Sequence, residues 1–250
     1  MCRIFSEQQV STLIVAFFMS HSKTAFQIER LILFSDAVFA IAITLLIIEI
    51  KIPHLLPEYT TAQVIDVYLE LTPKFLGFFV SFFFIGLYWT VHHQLMSYLV
   101  NYNPALLWLN LLYLVSIVLL PFSTALDSEY AGTNFISPFL IYTLNVTFSG
   151  SMIVVLWRYI SNPRHQLSEG LDNPLFVRYH QKRALAVPAV FIAVFLLGLL
   201  LPYHSMSRTL LPVIPFIMRF LKQQYDRKMK ALELKAATVA VEEEVIAREE

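Results

Sequence analysis

The chain has 250 residues, of which 57% are hydrophobic and only 14% charged, and its mean hydropathy is +0.63, well above the roughly 45–50% apolar content of a soluble domain. This composition points to a membrane, and eighteen Lys and Arg balanced by eighteen Asp and Glu remove the basic surface that nucleic-acid binding requires. A single cysteine, Cys2, excludes an intrachain disulfide and any multi-cysteine zinc site, and the common phosphate, dinucleotide, serine-hydrolase and zincin signatures are absent from the sequence.

In chain order, the run VSTLIVAFFM at 10–19 is too short to cross a bilayer and is followed by no small-residue cleavage site. It reads as a signal-like or interfacial helix fragment. Met19 opens the segment that leads into the first span and is a candidate biological start, with non-native residues before it. Six apolar runs of about 20 residues follow. They are expected at 31–50, 74–100, 105–122, 136–160, 184–201 and 207–220, the last short and interrupted by Pro212 and Pro215. Between the first two, Val64, Val67, Tyr68 and Leu71 share a face that excludes Asp66 and Glu70, the pattern of a short interfacial helix over 60–71. After the last span, Tyr225, Met229, Leu232, Ala236, Val239 and Ile246 recur at near-heptad spacing broken by Glu243, which predicts a polar helical tail. The expected organisation is an all-α integral membrane protein with six transmembrane helices. It divides into an N-terminal segment (1–27), a six-helix unit (28–221) and a helical tail (222–250), without an internal repeat.

Short cytoplasmic loops are enriched in Lys and Arg. With six spans and both termini inside, fifteen of the eighteen basic residues are cytoplasmic, and only Lys51, Lys74 and Arg208 face the other side. A multi-pass protein of the cell membrane with cytoplasmic termini is expected.

Ionisable or strongly polar side chains within a span are costly and mark candidate sites. The first helix carries Arg30 and Asp36, which are about 600° of rotation apart and must find partners on other helices. The second offers Trp89, His92 and His93, and the third Asn110. On a helical projection Phe34, Val38, Ile41, Leu45 and Ile48 fall within roughly 80° of one another, with Thr44 about 60° from Ile41 and Asp36 nearly opposite. Such a stripe is either a packed helix interface or a pore-lining face.

The run ERLILFSDAVFAIAIT, with Arg30, Phe34, Ser35 and Asp36 at its marked positions, resembles the R-x-x-x-F-S-D signature of the potassium channels of the transmembrane-protein-175 type. These are endolysosomal in animals and also occur in bacteria. The resemblance continues through YWTVHH at 88–93, LWLN at 107–110 and LPFST at 120–124. It implies a potassium-selective channel, not an enzyme, in which the first helix of each subunit lines a central pore. With one repeat per chain, the resemblance implies a homotetramer in membrane lipid, with potassium as permeant, protons as a second permeant to test, and no cofactor or metal. By the same resemblance Ile41, Leu45 and Ile48 are the constricting layers and Thr44 a polar contributor to selectivity. Arg30, Phe34, Ser35 and Asp36 would form a structural network with Trp89, Asn110 and either His92 or His93. No T-V-G-Y-G segment exists, so a carbonyl-lined filter is not expected.

Plainer roles stand beside these. Membrane histidines more often satisfy neighbouring helices than shuttle protons. Glu49 would attract cations at a pore mouth or simply sit at the interface. Pro121 and Pro138 are expected to shape helix ends, and the glycosylation-type triplet Asn145-Val146-Thr147 lies inside the fourth span. The rival functions are a proton-coupled transporter using Asp36 with His92 or His93, and an intramembrane metal enzyme using the same three residues. Adjacent histidines project about 100° apart on a helix, which makes joint ligation awkward.

Overall fold

The computed structural model describes residues 7–131, 133, 135–200, 211 and 213–249. Among the described residues eight α-helices run in the order α1 (Glu7–Ile48), α2 (Thr61–Leu69), α3 (Thr72–Met96), α4 (Pro104–Val118), α5 (Leu120–Glu129), α6 (Ser137–Ile160), α7 (Pro174–Leu200) and α8 (Ile214–Glu249), with a 3-10 turn at Pro163–His165. Among the described residues no β-strand forms, and an isolated bridge joins Leu99 to Ser168. Among the described residues, five stretches are long and apolar enough to cross a bilayer: Lys23–Ile48, Thr61–Met96, Pro104–Glu129, Ser137–Ile160 and Pro174–Leu200. The expected sixth, 207–220, falls partly outside the described residues, at 207–210 and 212, and from Ile214 onward it opens α8.

Helix boundaries follow local chemistry. No Gly or Pro interrupts α1, so the helix passes through the expected boundary at 27 and takes in the 10–19 run. It stops at Ile48, ahead of Lys51 and Pro53. The short α2 is closed by a capping box in which Thr60 and Gln63 exchange backbone and side-chain bonds, and it buries no residue. The third span is two helices. Pro121 has no N–H to offer the preceding turn, so the chain breaks at Leu119 and restarts as α5, reaching Glu129. The fifth begins ten residues before its expected start at 184: Arg178, Lys182 and Arg183 read as loop, yet their long stems let the charges reach water from a helix. Likewise α8 runs unbroken through 221–222.

The core is aromatic. Phe39, Tyr88, Tyr113, Phe139, Trp157 and Phe191 are among its largest fully buried side chains. Phe191 of α7 meets Phe84 of α3 at 5.2 Å and Tyr142 of α6 at 5.4 Å between ring centroids. Along the α6–α7 contact Pro188 cannot bond the Ala184 carbonyl, and Gly150 closes over that gap. A methyl group on Gly150 would overlap the Pro188 ring and lie 3.0 Å from the Ala184 oxygen. At one end of the bundle two loops are knitted together, Val100 N donating to Leu167 O at 2.9 Å and Glu169 N to Tyr98 O at 3.1 Å.

Candidate functional site

The site is built on α1, whose two faces differ. Ile28, Ser35, Phe39, Ala42 and Leu46 recur at helical spacing and are buried, directed at α3, α4 and α5. Ser35 Oγ donates to Leu31 O at 2.9 Å and accepts from Asn110 Nδ2 of α4 at 2.9 Å. The amide oxygen of Asn110 therefore faces His92 of α3, whose Nε2 lies 2.8 Å away and carries the proton of that bond. All three side chains are at most 1% exposed. The His92 ring stacks on Tyr113 at 5.3 Å and is approached by Phe39 at 5.6 Å. From there the lattice continues, Tyr113 OH donating to Tyr88 O at 3.2 Å and Tyr88 OH to Val146 O of α6 at 3.1 Å. A hydrogen-bonded line thus ties α1 to α4 and α3, and the ring contact of His92 with Tyr113 joins it to the tyrosine bonds that reach α6.

The other predicted residues lie around this line. Trp89 Nε1 donates to Asp36 Oδ1 at 2.9 Å, and His93 stacks on Trp89 at 5.4 Å, both on the half-exposed flank. The two histidines therefore separate, His92 inside with Asn110 and His93 outside with Trp89. Arg30 is not brought to Asp36. Its guanidinium lies 5.9 Å from the centroid of Phe26, and no Arg30–Asp36 ion pair forms among the described residues. Phe34 stands on the uncovered face, away from the lattice.

That uncovered face carries Phe34, Ile41, Leu45 and Ile48, which are 51%, 58%, 37% and 69% exposed within the subunit. Val38, at the stripe's edge, is partly buried against the core. Thr44 lies on the same side, its hydroxyl donating back to Ile41 O at 2.9 Å. Glu49 lines a cleft at the end of α1 together with Lys51, Lys74, Pro121 and Glu129, where Lys74 and Glu129 form an ion pair of 2.7 Å.

The sequence reading missed the aromatic enclosure of His92 by Phe39 and Tyr113, and a second polar group between α3, α5 and α6. There Thr124 Oγ1 lies 2.7 Å from Ser81 Oγ, which is 2.8 Å from Tyr142 OH, and Asn145 Nδ2 donates to Ser123 Oγ at 3.1 Å. Hydroxyls satisfy themselves on their own helix backbone, as Thr124 does on Leu120 O at 2.7 Å, so they give little sign in an apolar run. Asn145 is the member an intramembrane polar search would have found.

Comparison with known proteins agrees with this architecture. The family model described as endosomal/lysosomal potassium channel TMEM175 matches residues 30–121. A potassium channel of Streptomyces collinus is 34% identical over 148 residues, covering 56% of this chain and 68% of that one. A potassium channel of Chamaesiphon minutus is 42% identical over 102 residues, 40% of this chain and 49% of that one. The crystal structure of a lysosomal potassium-selective channel TMEM175 homolog from Chamaesiphon minutus matches with a TM-score of 0.62 at 26% identity, over 80% of this chain and 98% of that one. Fold and relatives together define a multi-pass helical ion channel and not an enzyme. Within that class, the chain belongs to the TMEM175 family.

Proposed function

We propose that four copies of this chain assemble in the cell membrane as a potassium-selective channel with both termini cytoplasmic and α1 lining the pore. Ile41, Leu45 and Ile48 form its hydrophobic layers and Thr44 contributes a polar group beside them. The observation that carries this reading is the division of α1 into a face locked to its own subunit through Ser35 and a face of large apolar side chains left uncovered there. Ala37, Ala40 and Thr44 flank that stripe and are exposed. Small residues in this position let a neighbouring copy of the helix approach closely, which favours assembly around the stripe over burial in lipid. In a ring of such helices the apolar neck gates by dewetting, and a tight dry neck penalises sodium more than potassium because sodium holds its water more strongly. Ser35, Asn110, His92, Asp36 and Trp89 hold the rotation of α1 so that the stripe faces the axis.

The test is flux through the purified protein in liposomes under a potassium gradient clamped by a proton ionophore, repeated with sodium. Saturating, potassium-preferring flux without a co-substrate is expected. Flux that occurs only in fixed ratio with protons would favour the alternative, a proton-coupled transporter using Asp36 with His92 or His93. Asp36→Asn separates the two further: the structural role predicts weakened assembly, whereas a transport site predicts intact assembly without turnover.

A further inference from the structure

Two segments that no function has been given share one pattern. On α7, Leu175, Arg178, Tyr179 and Lys182 lie at i, i+3, i+4 and i+7, and on α8 the same spacing carries Leu221, Gln224, Tyr225 and Lys228. The two stripes face each other across a groove of about 110 Å³ lined by these eight residues. The rings of Tyr179 and Tyr225 stack at 4.4 Å and 20° and clamp the helices together at the centre of the pattern. Further along, Asn173 Nδ2 reaches Met229 Sδ at 3.8 Å, so the start of α7 lies beside the middle of α8. Leu175 and Lys228 share the wall of an adjoining hollow, so the helices run antiparallel, with Lys228 at one end of the groove and Lys182 at the other.

The groove is cationic and its charges are uncommitted. Arg178, Lys182 and Lys228 are exposed, and none forms an ion pair among the described residues. The acidic residues of this stretch of α8, Asp226 and Glu233, do not line it. On α7 the groove ends where charges give way to apolar sequence, the level a lipid headgroup takes when such a helix crosses a bilayer. Lys182 and Arg183 are the last charges before the uninterrupted apolar part of α7, and the first charges of α8, Arg219 and Lys222, flank Leu221. The volume holds about three or four waters, room for a phosphate and not for an acyl chain. Leu175 and Leu221 offer apolar contact at its ends.

We propose that the α7–α8 groove binds the phosphate of an anionic phospholipid headgroup through Arg178, Lys182, Lys228 and the Gln224 amide. Basic recesses between membrane helices at the headgroup level are suited to such lipids, each cation adding about fivefold to affinity. The proposal needs the bundle to lie in a membrane and does not depend on what, if anything, the bundle conducts.

The test is native mass spectrometry of the full-length protein exchanged into phosphatidylcholine with graded phosphatidylglycerol. The wild type is expected to retain phosphatidylglycerol selectively, and R178Q/K182Q/K228Q to lose on the order of 100-fold in its apparent affinity. A charge-preserving R178K/K182R/K228R variant should retain the lipid, which separates loss of the site from loss of the fold. K222Q/K230Q, which removes two cations of α8 outside the groove, should behave as wild type. Undiminished retention by the triple Gln variant, or an equal loss in K222Q/K230Q, would overturn the proposal. So would displacement of the lipid by millimolar inorganic phosphate, since the groove would then read a free anion. Because retention is read without ion flux, a protein that failed the liposome assay and still held phosphatidylglycerol would leave this site standing while removing the channel.

Discussion

The α1–α3–α4 side of the bundle and the α6–α7 side are held together by different means. On the first, Ser35, Asn110 and His92 pass hydrogen bonds from helix to helix. On the second, Gly150 and Pro188 fit by shape, and the Phe139, Tyr142 and Phe191 rings fill the space beside them. In lipid there is little hydrophobic gain from bringing helices together, so close packing and polar contacts carry the association. Shape fixes distance but tolerates rotation, whereas a directed polar line fixes rotation as well. The helix proposed to line the pore is the one given the directed contacts.

Substitutions can break this contrast at graded cost. The largest effect is expected from Gly150→Ala, whose methyl group would overlap the Pro188 ring with backbone behind it. A loss of about 3 kcal/mol, the upper part of the range for overpacking, should appear as a marked fall in the thermal midpoint of the detergent-solubilised protein. Asn110→Ala is expected to cost about 2 kcal/mol, because His92 Nε2 and Ser35 Oγ are left facing each other across a void. The same thermal measurement, with Asn110→Gln as the variant that keeps the amide, shows whether the missing bonds or the missing volume matter. Trp89→Phe removes one half-exposed bond to Asp36 and should cost about 0.5 kcal/mol. A loss as large as that of Asn110→Ala would mean that the outer pair, not the buried line, anchors α1. Ile41→Asn should leave the midpoint unchanged, since Ile41 is 58% exposed within the subunit. Its effect belongs to conduction: a wetted neck should raise current and weaken discrimination between potassium and sodium in the liposome assay. A drop in stability with unchanged selectivity would turn the stripe into an ordinary packing face.

How much of this was legible in the sequence depends on contrast with the surroundings. Asn110, His92, Asp36 and Trp89 stand out because polar groups in apolar runs are costly, and the structure brings them into two adjacent groups. The choice between His92 and His93 was not legible, because neighbouring residues on a helix differ only in direction and the direction is set by partners elsewhere. Arg30 sits six residues from Asp36 and shares its helix, yet it finds Phe26, one turn away on its own side. Phe39 and Tyr113 gave no sign, since an aromatic residue enclosing a histidine looks like any other in a hydrophobic span. The early start of α7 was hidden by Arg178, Lys182 and Arg183, whose charge suggests a loop while their stems allow a helix.

The first helix has 42 residues, about 63 Å at 1.5 Å per residue, roughly twice the depth of the hydrocarbon layer. It contains neither of the residues at which helices usually bend. A rod of this kind does not absorb a turn applied at one end. In the proposed assembly, torque on the N-terminal part of α1 meets the Ser35–Asn110 contact before it reaches Ile41 and Ile48. Handle and wall are, in that assembly, one piece of chain with a latch partway along it.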